Sequence, residues 1–315
     1  MTSTTARLRA QPAAVASRPS RYRSGARPRT IAAFLLPFFV PFVLFYVAPV
    51  AYALGESFLK IQRSAGQFGT QSTVFGGLTQ YTHVFSSPEF RASIGRVGLF
   101  GVVQVPVMLF LSLLIALLLD SRLVRFKAFF RLTAFMPYAV PGLIAAIMWS
   151  FLYHPQLSPI VALLGDIGIH ADFLSPGSIL WSIANISTWL WTGYNMIIIY
   201  SALQAIPQEI YEAARLDGAS NTAIALRIKI PMVLPSIILT SVFSIIGTLQ
   251  LYSEPAVLAQ VAPSVSTTFT PNMMTFAIAS GNNYQEAAAM SVVIAIATFI
   301  LSFGFMKITS RRTEQ

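Results

Sequence analysis

Residues 206–231 read IPQEIYEAARLDGASNTAIALRIKIP, the stretch of this chain whose residue types and spacing best fit a defined task. It pairs no nucleophile with a base, so its chemistry is contact rather than catalysis. Pro207 interrupts a preceding helix and can open a new one. Residues 208–216 are good helix formers, with Ile206, Ile210, Ala213 and Ala214 on one face at spacings of four and three. Gly218 ends that helix, because glycine takes up a left-handed turn without steric cost. Ser220 or Asn221 then caps a second short helix, which Pro231 closes. The exposed face offers small alanines beside Glu212. Small side chains let another protein's backbone come close, and a carboxylate can form a charge-assisted bond to an arginine. A helix that merely lies on a membrane surface would carry bulky Leu or Phe on its apolar face.

A second group with chemical potential lies at 185–195: Asn185, Trp189, Trp191, Thr192, Tyr194 and Asn195, all inside a long apolar run. Polar side chains in such a run cost free energy in lipid, so they face a bundle interior or a wet cavity. Aromatic faces together with hydrogen-bonding side chains are what binds sugars. Interhelical hydrogen bonds and an interfacial tryptophan belt would account for the same residue types. The glycosylation sequon Asn185-Ile186-Ser187 lies within this run and is read as chance.

Other chemistries lack their residues. The chain has no cysteine, which excludes disulfides, thiolate catalysis, iron–sulfur clusters and cysteine zinc sites. A Gly-x-x-x-x-Gly-Lys phosphate loop is missing, so the chain is not expected to hydrolyse ATP. Its three histidines, His83, His154 and His170, fall in expected outer loops. His170 near Asp166 and Asp172 could suggest a metal, but no His-Glu-x-x-His occurs and no metal site is expected.

These groups need elements to position them. Of 315 residues, 55% are hydrophobic and 10% charged, against about 25% charged in a soluble domain. Apolar runs near 31–54, 94–119, 132–153, 178–203, 233–252 and 286–306 each reach the roughly 20 residues that cross a bilayer as a helix. They show no dyad alternation, which argues against strands. An all-α integral membrane protein with six transmembrane helices is expected. Residues 1–29 read as a basic disordered cytoplasmic tail, 30–308 as the membrane domain and 309–315 as a second cytoplasmic tail. A cleaved signal peptide, suggested by Ala51-Tyr52-Ala53, is disfavoured by the length of the first run and by the spans that follow. The Arg-rich start also resembles an organellar transit peptide, a reading ranked lower.

The net charge of +10 suits membrane orientation better than nucleic acid, because no basic stripe is interleaved with stacking aromatics. With six spans, 17 Lys and Arg fall on the side of both termini, including loops 120–131 and 204–232, and four on the other. The positive-inside rule then places both termini in the cytoplasm. Prolines at 37, 41, 49, 106, 137 and 141 fit a packed bundle with a cavity rather than separate anchors.

Glu212-Ala213-Ala214, then Asp217-Gly218-Ala219, Ile228 and Pro231, is similar in residue type and spacing to the EAA loop of ABC importer permeases. That family has a bulky aromatic where Ala225 stands. The resemblance runs from about residue 30 to the C-terminus. It includes Gly77-Leu78-Thr79-Gln80-Tyr81, Phe130-Arg131 through Met136-Pro137-Tyr138-Ala139-Val140-Pro141, and Leu249-Gln250-Leu251-Tyr252-Ser253-Glu254. It is nearest to the larger maltose and glycerol-phosphate permease subunits, without the large extra outer domain of some of them, since loop 55–92 is short.

The resemblance implies a type I ABC importer permease fold in a bacterial plasma (inner) membrane. It implies a second homologous permease, two copies of a cytoplasmic ATPase that bind the ATP and Mg, and an extracytoplasmic solute-binding protein. Glu212, Ala213, Ala214, Asp217, Gly218 and Ala219 would form the helix that couples to the ATPase. Tyr138 and Tyr194 stand where maltose-type permeases carry substrate-contacting tyrosines, Trp191 and Asn195 lie alongside, and Gln250 matches an amide in span five. The substrate would be a sugar or oligosaccharide, with a non-sugar solute such as glycerol phosphate as the alternative. An ion-coupled secondary transporter would need ionisable residues at membrane depth and usually internal repeats. Glu254 and Glu286 are placed only at span ends, and no repeat is seen.

Overall fold

The computed structural model describes residues 28–63, 71–121 and 124–310. The expected N-terminal tail therefore lies outside the described residues except for Pro28 and Arg29, as do 311–315 and Arg122. The chain divides into two units, residues 1–50 and 51–315. In the first, α1 (Pro28–Phe42) leads into a π-helical turn, Val43–Val47. Helix α2 (Ala48–Glu56) carries the chain into the second unit.

The second unit is helical apart from one hairpin. Strands β1 (Leu59–Arg63) and β2 (Gln71–Phe75) pair antiparallel, with Leu59 opposite Phe75 and Ile61 opposite Thr73. The hairpin falls within the expected loop 55–92; five-residue strands with few apolar residues leave little periodic signal. Helix α3 (Thr79–Ser86) follows. Ser87 then caps α4 (Pro88–Asp120) by accepting from the Phe90 N–H, with Pro88 in the first turn, where its missing N–H costs nothing.

The expected third span is broken. Helix α5 (Lys127–Phe135) tightens into a 3-10 turn at Met136–Ala139, and after Val140 and Pro141 the chain restarts as α6 (Gly142–Tyr153). The two halves meet at 95°. Pro137 and Pro141 each remove a backbone donor, and Val140, the residue before Pro141, leaves the helical region for extended backbone. Helix α7 (Pro159–Asp166) precedes α8 (Ile179–Gln204), which packs along α4 and against the 3-10 turn. Gly193 permits close approach of α8 to the end of α5: a Cβ there would stand 2.0 Å from the Ala134 carbonyl oxygen.

Helix α9 (Gln208–Leu216) and short α10 (Asn221–Ile224) follow. Pro231 was expected to close the second helix. Instead the helix continues through a π-helical turn, Ala225–Lys229, into α11 (Ile230–Leu249), with the Ile230 N–H bonded to the Ala225 carbonyl. Pro231 lies in the first turn of α11, and the wider π turn beginning at Ala225 absorbs it. Helices α12 (Ser253–Leu258), α13 (Pro271–Ser280) and α14 (Tyr284–Ser310) complete the unit.

Four helical stretches among the described residues are long and apolar enough to cross a membrane: Ile31–Glu56, Pro88–Asp120, Asn221–Leu258 and Tyr284–Thr309. The bent pair α5–α6 makes a fifth if it counts as one span. Helix α8 has 26 residues, about 39 Å at the helical rise. It is outside that set because of its polar residues, the ones that give the site its chemistry.

Candidate functional site: a small-faced loop and an aromatic cavity

Helix α9 starts after Pro207, whose backbone is extended, and carries Glu209 in its first turn and Arg215 in its last, each suited to the helix dipole. The Gly218 N–H donates to the Arg215 carbonyl at 3.0 Å and the Ala219 N–H to the Ala214 carbonyl at 2.9 Å. Gly218 itself has φ +79°, the left-handed conformation expected of it. Of the two candidate caps it is Ser220 that acts, accepting from the Ala223 N–H at 3.2 Å. Gly218 thus turns the chain between two short helices.

The faces of α9 divide differently from the expectation. Ile206 and Tyr211 are buried among Ala116, Leu119 and Leu203 at the foot of α4 and α8, with Ile224 beside them. Ile210, Ala214 and Ala219 pack against the same cluster, so Ala214 and Ala219 belong to the underside. Glu212, Ala213, Asp217 and Gly218 are exposed. Leu216, absent from the expected contact set, is 90% exposed and gives this outward face an apolar knob. Beneath the helix, Lys229 pairs with Asp120 and lies 5.0 Å from the Tyr211 ring centre. The Tyr211 hydroxyl is held above its ordinary range, first by burial and then by the Asp120 charge.

The expected substrate residues come together higher in the bundle. Tyr138, on the 3-10 turn, stacks on Tyr194 of α8 with ring centres 4.7 Å apart. Trp191 meets Tyr138 edge-on at 5.4 Å and Tyr194 at 5.9 Å. Trp191, Tyr194, Asn195 and Gln250 all line a cavity of about 310 Å³ between α4, α8 and the end of α11. Tyr138 backs Tyr194 rather than lining the cavity itself. Asn195 is 2% exposed, and its amide donates to the Trp191 carbonyl at 3.0 Å, so its side chain is largely satisfied within the protein.

Several cavity residues lay beyond the sequence reading. Gln104 of α4 is buried in the wall and contacts Thr188 Oγ1 at 3.4 Å. Tyr252 and Glu254 reach the cavity where the helix breaks after α11 and restarts as α12. Glu254, expected at a span end, is therefore a cavity residue. Gln250 also borders a second, larger groove of about 1210 Å³ between α2, α11, α13 and α14. Among the described residues no group of three or more metal-ligating side chains converges.

Comparison with known proteins places this geometry among transport components. The model of the family "Binding-protein-dependent transport system inner membrane component" matches residues 105–315. The lactose transport system permease protein LacF of Rhizobium radiobacter is 32% identical over 73% of this chain and 79% of its own length. The trehalose/maltose transport system permease protein MalF of Thermococcus litoralis is 28% identical over 86% of this chain and 89% of its own. The sn-glycerol-3-phosphate transport system permease protein UgpA of Agrobacterium fabrum is 31% identical over 66% of this chain and 70% of its own. In fold, the chain matches a chain from a crystal structure of a bacterial alginate ABC transporter in complex with its alginate pentasaccharide-bound periplasmic protein. The TM-score is 0.77 at 19% identity, covering 92% of this chain and 96% of that one.

Proposed function

The chain belongs to the family of binding-protein-dependent transport system inner membrane components, and we propose that it is a permease subunit of an ATP-driven importer for a sugar or oligosaccharide. It is a multi-pass membrane protein. The proposed arrangement has six crossings, with α8 and the bent α5–α6 pair as two of them, in a bacterial inner membrane with both termini in the cytoplasm. The 17-to-4 charge asymmetry supports that orientation. A second, homologous permease would complete the translocation path. Two copies of a cytoplasmic ATPase, which bind the ATP and Mg, would lie beneath, and a solute-binding protein would deliver substrate from outside.

The observation that carries this reading is the loop built around Gly218. Its exposed face presents Glu212, Ala213, Leu216 and Asp217, while its underside is anchored by Tyr211 and Ile206 in the bundle. An outward face with a small residue, an acid and one apolar knob suits insertion into a cleft on another protein, and the anchored underside passes the resulting displacement to α4 and α8. These two helices also wall the cavity. Movement of the coupling face would therefore change access to Trp191 and Tyr194. Aromatic faces plus amides suit hydroxylated substrates, and two of the relatives named above are lactose and trehalose/maltose permeases.

The test is reconstitution of the chain with its partner permease and ATPase in proteoliposomes, with radiolabelled lactose and maltose presented by the cognate solute-binding protein. Uptake of one of them that needs both Mg-ATP and the binding protein is expected. Uptake that follows an imposed ion gradient without ATP would replace this reading with a secondary transporter.

A further inference from the structure

Glu254 is an acid in a cavity that holds no base. It lines the cavity with Trp191, Tyr194, Gln250 and Ser244, and no Lys, Arg or His is among the lining residues. Among the described residues Glu254 has no ion-pair partner. The residue lies in the first turn of α12, and its Oε1 lies 3.8 Å from where a Cβ on Gly142 would stand, at the first residue of α6. The residue that caps α6 is Pro141, which offers no side-chain acceptor to the first-turn amides. The carboxylate therefore lies beside the N-terminus of α6, whose unpaired N–H groups favour negative charge.

The cavity so receives a carboxyl group with no cation among its described lining residues. We propose that Glu254 sets the charge selectivity of this subunit's part of the path, admitting neutral hydroxylated sugars and turning away acidic and phosphorylated ones. The inference rests on the reading of the cavity as a sugar site and adds to it the charge class of the substrate. A carboxylate accepts hydrogen bonds from sugar hydroxyls strongly, because the acceptor is ionised. The same group repels a uronate carboxylate or a phosphate brought into the cavity, where screening by water is weak. Trp191 and Tyr194 supply apolar faces that take a neutral ring and a uronate ring alike. Discrimination by charge then falls to Glu254.

The experiment is isothermal titration of the complete transporter complex in nanodiscs with lactose, maltose and digalacturonate, using the wild type, Glu254→Gln and Tyr194→Ala. The wild type is expected to bind one of the neutral disaccharides at least about tenfold more tightly than digalacturonate. Glu254→Gln should shrink that ratio to about threefold or less, because the amide keeps the shape and loses the charge. Wild-type binding of digalacturonate as tight as that of the neutral sugars, abolished in Tyr194→Ala, would overturn the charge inference and leave the sugar site standing. The same holds for a ratio unchanged in Glu254→Gln. Absence of binding by all three disaccharides would overturn the sugar site and the inference together.

Discussion

Lys229, at the end of the π-helical turn, forms an ion pair with Asp120, the last residue of α4, across 109 positions of sequence. The same carboxylate accepts from Gln204 Nε2 at 2.6 Å, and the Lys127 ammonium donates to the Asp120 backbone carbonyl at 3.4 Å. Tyr211 of α9 covers the ammonium with its ring. One buried carboxylate thus joins the foot of α4, the end of α8, the π turn after α10 and the start of α11.

The pair is largely covered, with side-chain exposures of 16% for Lys229 and 8% for Asp120. Removing one partner leaves the other charge buried and unpaired, at about 3–5 kcal/mol. Asp120→Ala and Lys229→Ala should each lower the melting temperature of the detergent-purified protein. The double change to Asn and Met should recover more than half of the loss, which a double-mutant cycle in thermal denaturation would read. Tyr211→Phe serves as an internal contrast. Among the described residues the Tyr211 hydroxyl is buried without a hydrogen-bond partner, so its removal should be neutral or stabilising.

Gly193 gives a second stability prediction. With the Ala134 carbonyl 2.0 Å from its would-be Cβ, even alanine must push α8 away from the break between α5 and α6. Overpacking of this kind costs about 1–3 kcal/mol, and here the obstructing atoms are backbone. Gly193→Ala should reduce both the yield of folded protein and its thermal stability. Gly247→Ala, which meets nothing within 4 Å, should leave both near wild type.

The aromatic triad should decide uptake. Tyr194→Ala removes the ring that meets both Tyr138 and Trp191 and a hydroxyl, at about 1–3 kcal/mol of site affinity. Uptake should fall or change its substrate preference, while affinity of the solute-binding protein and assembly of the complex stay as they were. Unchanged uptake kinetics in all three alanine variants, at Tyr138, Trp191 and Tyr194, would move recognition to the partner subunit.

Orientation is checked by reporter fusions. One at Gly218, in the turn between α9 and α10, should report cytoplasm, and one at Gly76, just after the β1–β2 hairpin, should report the outside. A cytoplasmic signal from Gly76 would contradict the six-crossing arrangement.

Much of this was legible in the sequence because lipid imposes long apolar runs and glycine and proline punctuate them. The Gly218 turn, the Ser220 cap and the meeting of Tyr138 with Trp191 and Tyr194 follow from local rules and from family likeness. The rest depends on where the bundle lies. Periodicity groups Ala213 with Ala214, and only packing decides that Ala214 faces inward and Ala213 outward. Pro231 reads as a stop, but a π turn carries the helix past it. Glu254 reads as a span-end acid because sequence does not show that the break after α11 puts it in the cavity wall. The Asp120–Lys229 pair is tertiary and has no local signature.

The central claim is that the exposed face of α9 is where the ATPase takes hold. Its most direct measurement is co-purification of the ATPase with the permease pair, followed by substrate-stimulated ATP hydrolysis in lipid. Ala213→Trp puts bulk on the outward face. Gly218→Val strains the left-handed turn by about 1–2 kcal/mol and misaligns the two short helices. Both variants should lose ATPase association or coupled hydrolysis, with transport falling in step, while solute binding by the extracytoplasmic partner is unchanged. Normal association and normal coupled hydrolysis in both variants would contradict the account.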